Sequence, residues 1–365
     1  MAEPKTTTWP LDPHTLAKHV LLRKYLNAWL PKITRYNGRV IFCDGFAGPG
    51  VYDGGEDGSP VIALKALLEH SYFPKMKAEV VYLFIEENAD RCASLEKVIK
   101  EQFENLPSNV KYEIENSTYE EALTKLLDDL DKGAAKLAPT FAFIDPFGVS
   151  GVPLSIIKRL MAHHRCEVFI TIMFGYMHRF ISRPEFEKHC DELFGTKEWR
   201  QAIDLTGQQR EMFLRELYQS QLLDPNEGVG AEYTRYFTMK DDRNVTIYDL
   251  FFATNAWQGI DAMKEAMWNV SGDYVFSDAT DPTQEVLFTK DPDWNHLFAI
   301  LADRYRGTEQ PWLDVEETIR RSPFRILKRP FQQESKRDNP RFTIIPGTGA
   351  RQGTLDERSR IRFSK

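Results

Sequence analysis

The sequence predicts an α/β protein with a doubly wound, mostly parallel sheet, followed by a small α+β domain. Short apolar stretches alternate with amphipathic helical patterns over residues 1–175, which is typical of βαβ units. Two later strand patterns are separated only by the polar residues 240–244, so they predict an antiparallel hairpin. A turn-rich stretch near residue 270 then precedes short helices and two more strands.

The predicted elements follow in chain order. Asp12 and Pro13 suit a helix N-cap and first position, and this helix is expected to end near Pro31. Strands are predicted at 39–44, 79–86, 110–115, 140–145 and 167–174, and the hairpin strands at 232–239 and 245–254. Helices are predicted between the early strands at 61–70, 88–104 and 119–130. Residues 176–223 are polar and helical, and they predict an insertion before the hairpin.

Chain length and the turn-rich stretch predict two domains, 1–270 and 271–365. In the second domain, helices are predicted at 294–306, 315–321 and 324–334, and strands at 342–345 and 361–363. Three short helices followed by a two-stranded ribbon are the plan of a winged helix-turn-helix domain. A generic small α+β module is equally compatible with this pattern.

The composition excludes several classes of protein. Hydrophobic residues make up 42% and charged residues 28%, which is typical of globular proteins, and no run of about 18 apolar residues predicts a membrane span. The N-terminus lacks the pattern of a signal peptide. The four cysteines, Cys43, Cys92, Cys166 and Cys190, lack metal or redox spacing. We therefore expect a cytoplasmic protein with reduced thiols and no metal.

Charge is distributed unevenly along the chain. Residues 320–365 contain 13 Lys and Arg and 4 Asp and Glu, a net charge of +9; the whole chain carries −7, so residues 1–319 carry −16. A basic segment on an acidic body suggests binding to a polyanion, although a solvated tail is the alternative. The candidate phosphate contacts are Arg320, Arg321, Arg325, Lys328, Arg329, Arg341 and Arg351.

A glycine-rich loop follows the first predicted strand, where an open α/β sheet binds its ligand. Its candidate ligand-binding residues are Asp44, Gly45, Phe46, Gly48 and Gly50. A dinucleotide fingerprint would need a third glycine at position 53, but this residue is an aspartate. The mismatch disfavours NAD and FAD, and the D-x-F-x-G-x-G pattern instead resembles motif I of S-adenosylmethionine-dependent methyltransferases.

Polar residues also end the second and third predicted strands. Glu86 can accept both ribose hydroxyls of a nucleoside cofactor, whereas its neighbour Glu87 can be explained as a helix-start charge. Asn116 follows the third strand and is a candidate contact to the adenine.

The fourth strand ends in a turn formed by Asp145, Pro146, Phe147 and Gly148. Amine-directed methyltransferases carry (D/N/S)-P-P-(Y/F/W) at this position, where the first residues accept hydrogen bonds from the amine and the aromatic stacks on the base. Here there is one proline and the aromatic stands third, so the pattern does not establish amine chemistry. Asp145, Pro146 and Phe147 are the candidate catalytic residues.

Together these motifs resemble those of the three-Cys-motif partner protein (TcmP) family. The resemblance rests on the loop 44–50 and the turn 143–148, with segments 25–29, 58–60 and 268–274. It implies a methyltransferase-like fold with S-adenosylmethionine as cofactor, and a C-terminal winged helix domain. It also implies a bacterial or archaeal protein whose partner is a three-cysteine, radical-SAM-like protein.

Two functions follow from these observations. The first is a methyltransferase that uses S-adenosylmethionine, acts on DNA or RNA, and works with the three-cysteine partner. The alternative is a non-catalytic, methyltransferase-like partner or specificity subunit of that enzyme, which the altered D-P-P-Y pattern favours.

Overall fold

The computed structural model describes residues 6–148, 150–280 and 292–364. The chain divides into two compact units, residues 1–286 and 287–365. The strands of the first unit are β1 Arg39–Asp44, β2 Glu79–Glu86, β3 Val110–Asn116, β4 Thr140–Ile144, β5 Glu167–Ile172, β6 Tyr233–Lys240, β7 Thr246–Thr254 and β8 Val275–Ser277. Its helices are α1 Pro13–Tyr36, α2 Ser59–Leu68, α3 Ala89–Gln102, α4 Tyr119–Lys132, α5 Leu154–Met161, α6 Phe174–Phe180, α7 Pro184–Phe194, α8 Gly207–Leu223 and α9 Trp257–Val270.

The eight strands form one sheet in the order β3-β2-β1-β4-β5-β7-β6-β8. The strand β7 runs antiparallel to both of its neighbours, β5 and β6, and the other described pairs are parallel. This is the Rossmann-like order of a methyltransferase sheet, with β8 added at one edge. It confirms the predicted fold class, including the terminal antiparallel hairpin.

The register of the central strands brings the three sequence motifs to one edge of the sheet. Asp44, the last residue of β1, pairs with Phe84 of β2 and with Phe143 of β4. Glu86 and Asp145 each lie two residues beyond those partners. Because the carboxyl ends of parallel strands meet at the same edge, the glycine loop lies between Glu86 and the turn after β4.

The first helix does not end at Pro31 as predicted; α1 continues to Tyr36. A proline inside a helix cannot donate to the carbonyl four residues earlier, which here belongs to Asn27. The Nε2 atom of His70 donates to that carbonyl at 3.1 Å. A side chain from a later part of the chain therefore satisfies the carbonyl that Pro31 leaves without its helical donor.

Other element bounds also differ from the prediction. The fifth strand ends at Ile172 rather than 174, because α6 begins at Phe174. The predicted domain boundary at residue 270 lies before β8, which pairs with β6 in the large sheet. Since β8 belongs to the first unit, that unit continues past the predicted boundary.

The second unit contains α10 Trp294–Arg304, β9 Glu309–Pro311, α11 Trp312–Arg321, α12 Lys328–Glu334, β10 Phe342–Ile345 and β11 Arg360–Phe363. Its strands form an antiparallel sheet in the order β10-β11-β9, where a two-stranded ribbon was predicted. The extra strand, β9, pairs with β11. The helix predicted to begin at 324 begins at Lys328. Within the residues that the structure describes, no helix is long and apolar enough to cross a membrane.

Candidate functional site

The glycine loop after β1 is held against both neighbouring strands by its backbone. The Gly45 amide donates to Phe143 of β4 at 2.8 Å, and the Ala47 amide donates to Ile85 of β2 at 2.9 Å. Gly48 has a φ of +64°, a left-handed conformation that favours glycine. The loop therefore turns away from the sheet while its amides remain close to the carboxyl ends of β2 and β4.

Glu86 is tied to this loop. Its Oε2 atom accepts from the Gly48 amide at 2.9 Å, and its Oε1 atom accepts from the Asn88 amide at 2.9 Å. The guanidinium of Arg91, from the first turn of α3, lies 3.8 Å from Oε1. Only 6% of Glu86 is exposed, so these donors hold a buried carboxylate in a fixed orientation.

A cavity of about 610 Å³ opens at this edge of the sheet. Five predicted site residues line it, namely Gly45, Phe46, Glu86, Pro146 and Phe147. The Phe46 ring stacks on Tyr119 with ring centroids 5.6 Å apart. The cavity thus combines a carboxylate, a flat aromatic wall and the loop residues Gly45 and Phe46, the features expected of a nucleoside site.

The side chain of Asn116 forms hydrogen bonds with the backbone at the end of β2. Its side-chain amide donates to the backbone carbonyls of Glu86 at 3.0 Å and Glu87 at 2.9 Å. The two residues that follow it, Ser117 and Thr118, line the cavity. The adenine contact predicted for Asn116 stays a prediction, and its observed role is to join the ends of β2 and β3.

Sequence reasoning missed Arg91, which lines this cavity, and Trp9, which packs against Arg91 and Phe147. Arg91 is buried, lines the cavity, and places its guanidinium 5.1 Å from the centroid of Trp9 and 6.0 Å from that of Phe147. The Trp9 and Phe147 rings meet edge to face at 5.4 Å. Arg91 could have been found from its place three residues after the N-cap Asn88, because the first turn of α3 faces the same sheet edge. No sequence pattern indicated Trp9.

The insertion before the hairpin supplies a further wall. Tyr176 and Phe186 line the cavity with His189, and Phe186 stacks on Phe180 with centroids 5.1 Å apart and planes 9° apart. The helices α6 and α7 therefore contribute an aromatic surface to the site, which polar helical patterning alone did not indicate.

Asp44 lies beneath the loop rather than facing solvent. It is fully buried, and its Oδ1 atom accepts from the Phe46 amide at 3.2 Å. Burial raises the pKa of Asp44 to about 7, and the hydrogen bonds that it accepts only partly oppose this. Asp44 therefore stabilises the loop conformation from below.

Asp145 meets two donors from other elements. The ammonium of Lys18, from α1, contacts Oδ2, and the Thr171 hydroxyl donates to Oδ1 at 2.5 Å. Lys18 is buried, and its Nζ lies 5.1 Å from the ring centroid of Tyr248. Both oxygens of the candidate catalytic carboxylate are thus engaged by this chain's own side chains.

The candidate phosphate contacts of the second unit differ in their surroundings. Lys328 and Arg329 are exposed at the beginning of α12, Arg351 is exposed between β10 and β11, and Arg325 is half-buried. The other three lie in ion pairs: Arg320 with Glu316 at 3.4 Å, Arg321 with Glu317 at 2.8 Å, and Arg341 with Glu334 at 3.3 Å.

The sequence matches no protein-family model and no curated protein. Among solved structures, Trm1 from Pyrococcus horikoshii in complex with S-adenosyl-L-methionine aligns with 11% identity and a TM-score of 0.36, covering 74% of this chain and 62% of Trm1. The chain therefore spans about three fifths of the length of Trm1.

Human methyltransferase-like protein 13 in complex with SAH aligns with 8% identity and a TM-score of 0.34, covering 70% of this chain and 92% of that one. Human methyltransferase 10 domain containing protein aligns with 12% identity and a TM-score of 0.31, covering 65% and 83%.

Proposed function

We propose that this protein is an S-adenosylmethionine-dependent methyltransferase that acts on nucleic acid. The observation that carries the proposal is the hydrogen bond from the Gly48 amide to Glu86 at the edge of the 610 Å³ cavity. It joins the glycine loop of β1 to the carboxylate of β2, the pair of features that a nucleoside cofactor needs in a doubly wound sheet.

The residues around the cavity fit the parts of this cofactor. Glu86 lies at the carboxyl end of β2 and lines the cavity, the position from which a carboxylate accepts from the ribose hydroxyls of a nucleoside cofactor. Arg91 lines the same cavity and lies 3.8 Å from Glu86, so it helps to hold that carboxylate in place, and Phe46 and Tyr119 supply an aromatic wall. The cofactor carries a methyl group on a sulfonium centre and is already activated for transfer, so the protein's contribution is proximity and orientation.

Two measurements test the enzyme assignment. Calorimetric titration with S-adenosylmethionine should show one site, and tritiated methyl groups should then appear on DNA or on tRNA. Glu86→Ala should remove binding, while Glu104→Ala, an exposed residue of the same unit, should leave it unchanged. Failure of the wild-type protein to bind the cofactor would overturn the proposal.

We further propose that the second unit is a winged helix domain that holds the phosphate backbone. Its chain order, α10, β9, α11, α12, β10 and β11, with a three-stranded antiparallel sheet, supports this assignment. In such domains the later helix enters a groove and the loop between the last strands touches the backbone. Lys328 and Arg329 on α12, and Arg351 in that loop, suit these roles best because they are exposed.

Nucleic-acid binding is tested with the full chain at several salt concentrations. Each phosphate contact to duplex DNA should contribute about −0.9 to the log–log slope. The triple variant Arg325→Glu, Lys328→Glu, Arg329→Glu should weaken binding and flatten that slope. The matched control is Lys97→Glu, Lys125→Glu, Lys132→Glu, which changes three exposed lysines of the first unit by the same charge. If both triple variants weakened binding equally, nucleic-acid binding could no longer be assigned to the basic residues at α12.

The three-cysteine, radical-SAM-like partner is also a proposal, and it is supported by the sequence resemblance alone. Co-elution of the two proteins in size-exclusion chromatography would test it. The alternative function, a non-catalytic partner subunit, is favoured by one observation: Lys18 and Thr171 engage both oxygens of Asp145. Cofactor binding without transfer to DNA, tRNA or the partner protein would support this alternative.

A further inference from the structure

A second cavity, of about 90 Å³, lies beside Asp145. Pro146 and Phe147 line both this cavity and the larger one. These two residues therefore separate a space suited to the cofactor from a smaller space in which a methyl acceptor can approach. We call the smaller space the acceptor cavity.

The acceptor cavity is aromatic with a few polar groups. Its aromatic residues are Trp9, Tyr52, Phe147 and Tyr248, and its polar residues are Asp12, Thr15, Lys18, Asp145 and Thr171. Several aromatic side chains around a small space favour a planar ligand, because aromatic rings interact well with flat π-systems. The polar groups then decide which planar ligand is preferred.

Asp145 is poorly suited to recognise an amine. An amine donates hydrogen bonds, so it needs an acceptor with available lone pairs and uncompensated negative charge. Here the Lys18 ammonium compensates the charge of Asp145 at Oδ2, and the Thr171 hydroxyl already donates to Oδ1. The remaining lone pairs accept more weakly than those of an unpaired carboxylate.

Lys18 favours a ligand that accepts hydrogen bonds, whereas an amine donates them. An ammonium has three N–H donors, and Asp145 accepts one of them. Lys18 lines the acceptor cavity, and the ion pair and the ring of Tyr248 fix its position. The neighbouring His19 adds no positive charge near neutral pH, because burial and then Lys18 lower its pKa to about 3. A fixed N–H donor favours a carbonyl oxygen and stabilises negative charge on it.

We propose that Lys18 makes the acceptor cavity selective for a planar imide, a ring N–H flanked by carbonyl oxygens, over an exocyclic amine. This inference rests on the proposed methyltransferase function and names the acceptor class for it. In the reaction, the imide nitrogen releases its proton to solvent and its electron pair forms the new N–CH₃ bond. The S–CH₃ bond breaks with its electron pair remaining on sulfur, which gives S-adenosylhomocysteine.

The test compares uridine, whose ring N–H lies between two carbonyl oxygens, with cytidine, which keeps one of these carbonyls and has an exocyclic amine in place of the other, the position that Lys18 is proposed to contact. Binding of each nucleoside to the full chain saturated with S-adenosylhomocysteine is followed by saturation-transfer NMR. The wild-type protein should bind uridine about tenfold more tightly, the effect of one hydrogen bond to a charged group. Lys18→Met should remove this preference, whereas Lys24→Met, an exposed position on the same helix, should keep it.

A second variant addresses the unpaired Asp145 that Lys18→Met leaves behind. The double variant Lys18→Met, Asp145→Asn carries no unpaired charge, and it should bind cytidine at least as tightly as uridine. Equal binding of the two nucleosides by the wild type, or a uridine preference that survives both variants, would overturn the proposal.

A transfer assay then separates this inference from the proposed function. With tritiated S-adenosylmethionine, poly(U) should accept methyl groups faster than poly(C). Faster transfer to poly(C) would refute the imide selectivity and leave the methyltransferase function standing. Absence of transfer to either polymer and also to DNA and tRNA, together with a uridine preference in binding, would refute the methyltransferase function and leave the imide selectivity standing.

Discussion

The Gly48 amide donates to the Glu86 carboxylate at 2.9 Å, and these residues are 38 positions apart in the chain. Neither residue alone defines a ligand site, since strand-end carboxylates and glycine turns are both common. The bond orients the carboxylate and couples it to the loop. A change at either residue is therefore expected to affect ligand binding through the other.

Gly48→Val should abolish binding of S-adenosylmethionine while the fold survives. A β-branched residue at φ +64° costs about 1–3 kcal/mol, so the loop should shift and withdraw its amide from Glu86. Calorimetry measures binding, and circular dichroism measures folding. Gly38→Val is the matched control, because a Cβ at Gly38 meets no atom within 4 Å and its φ is not positive. Undiminished binding by Gly48→Val would place the cofactor elsewhere.

Glu86→Gln should weaken cofactor binding about 10- to 100-fold, because hydrogen bonds to a charged acceptor contribute about 1.5–3 kcal/mol. The variant keeps the shape of the side chain and changes its charge. Glu87→Gln removes the same charge from the exposed neighbour and should change the affinity less than twofold. If both variants lose affinity equally, general electrostatics would explain the result and a specific contact would not.

Asp44→Asn should change how stability depends on pH. The pKa of Asp44 is about 7 in the folded protein and 3.8 in the unfolded chain, so the folded state binds more protons between these values. Its contribution to stability is therefore present below pH 4 and is lost as the pH rises towards 7, by up to about 1.4 kcal/mol per pH unit. Relative to wild type, the variant should gain stability between pH 5 and 7 in urea unfolding. A constant difference would contradict the shifted pKa.

His19→Phe should have the opposite dependence. Burial lowers the pKa of His19 to about 3 from 6.5, so between these values the unfolded chain binds more protons than the folded protein. The stabilising contribution is present above pH 6.5 and is lost as the pH falls, by up to about 1.4 kcal/mol per unit. The variant should therefore gain on wild type between pH 6.5 and 5 in the same assay. His164→Phe, the same substitution at an exposed histidine, is the control for the change of side chain itself.

The local pattern of hydrophobic residues predicted most strands of the large sheet correctly. The bounds of β1 and β2 agree with the structure to the residue, because both are short apolar stretches that end in polar residues at the sheet edge. Strands of three residues escaped prediction, since β8 and β9 are too short to show a period. Their pairing depends on neighbours that are distant in sequence.

The sequence by itself determined the positions of the seven longer strands of the first unit, the glycine loop and the acid that ends β2, because hydrophobic period and glycine content are local properties. The tertiary structure alone decided which side chains meet at the site. Lys18 and Asp145 are 127 residues apart, and Pro31 is tolerated because His70 reaches the carbonyl of Asn27. Such contacts depend on how α1 packs across the sheet, and no local pattern encodes that geometry.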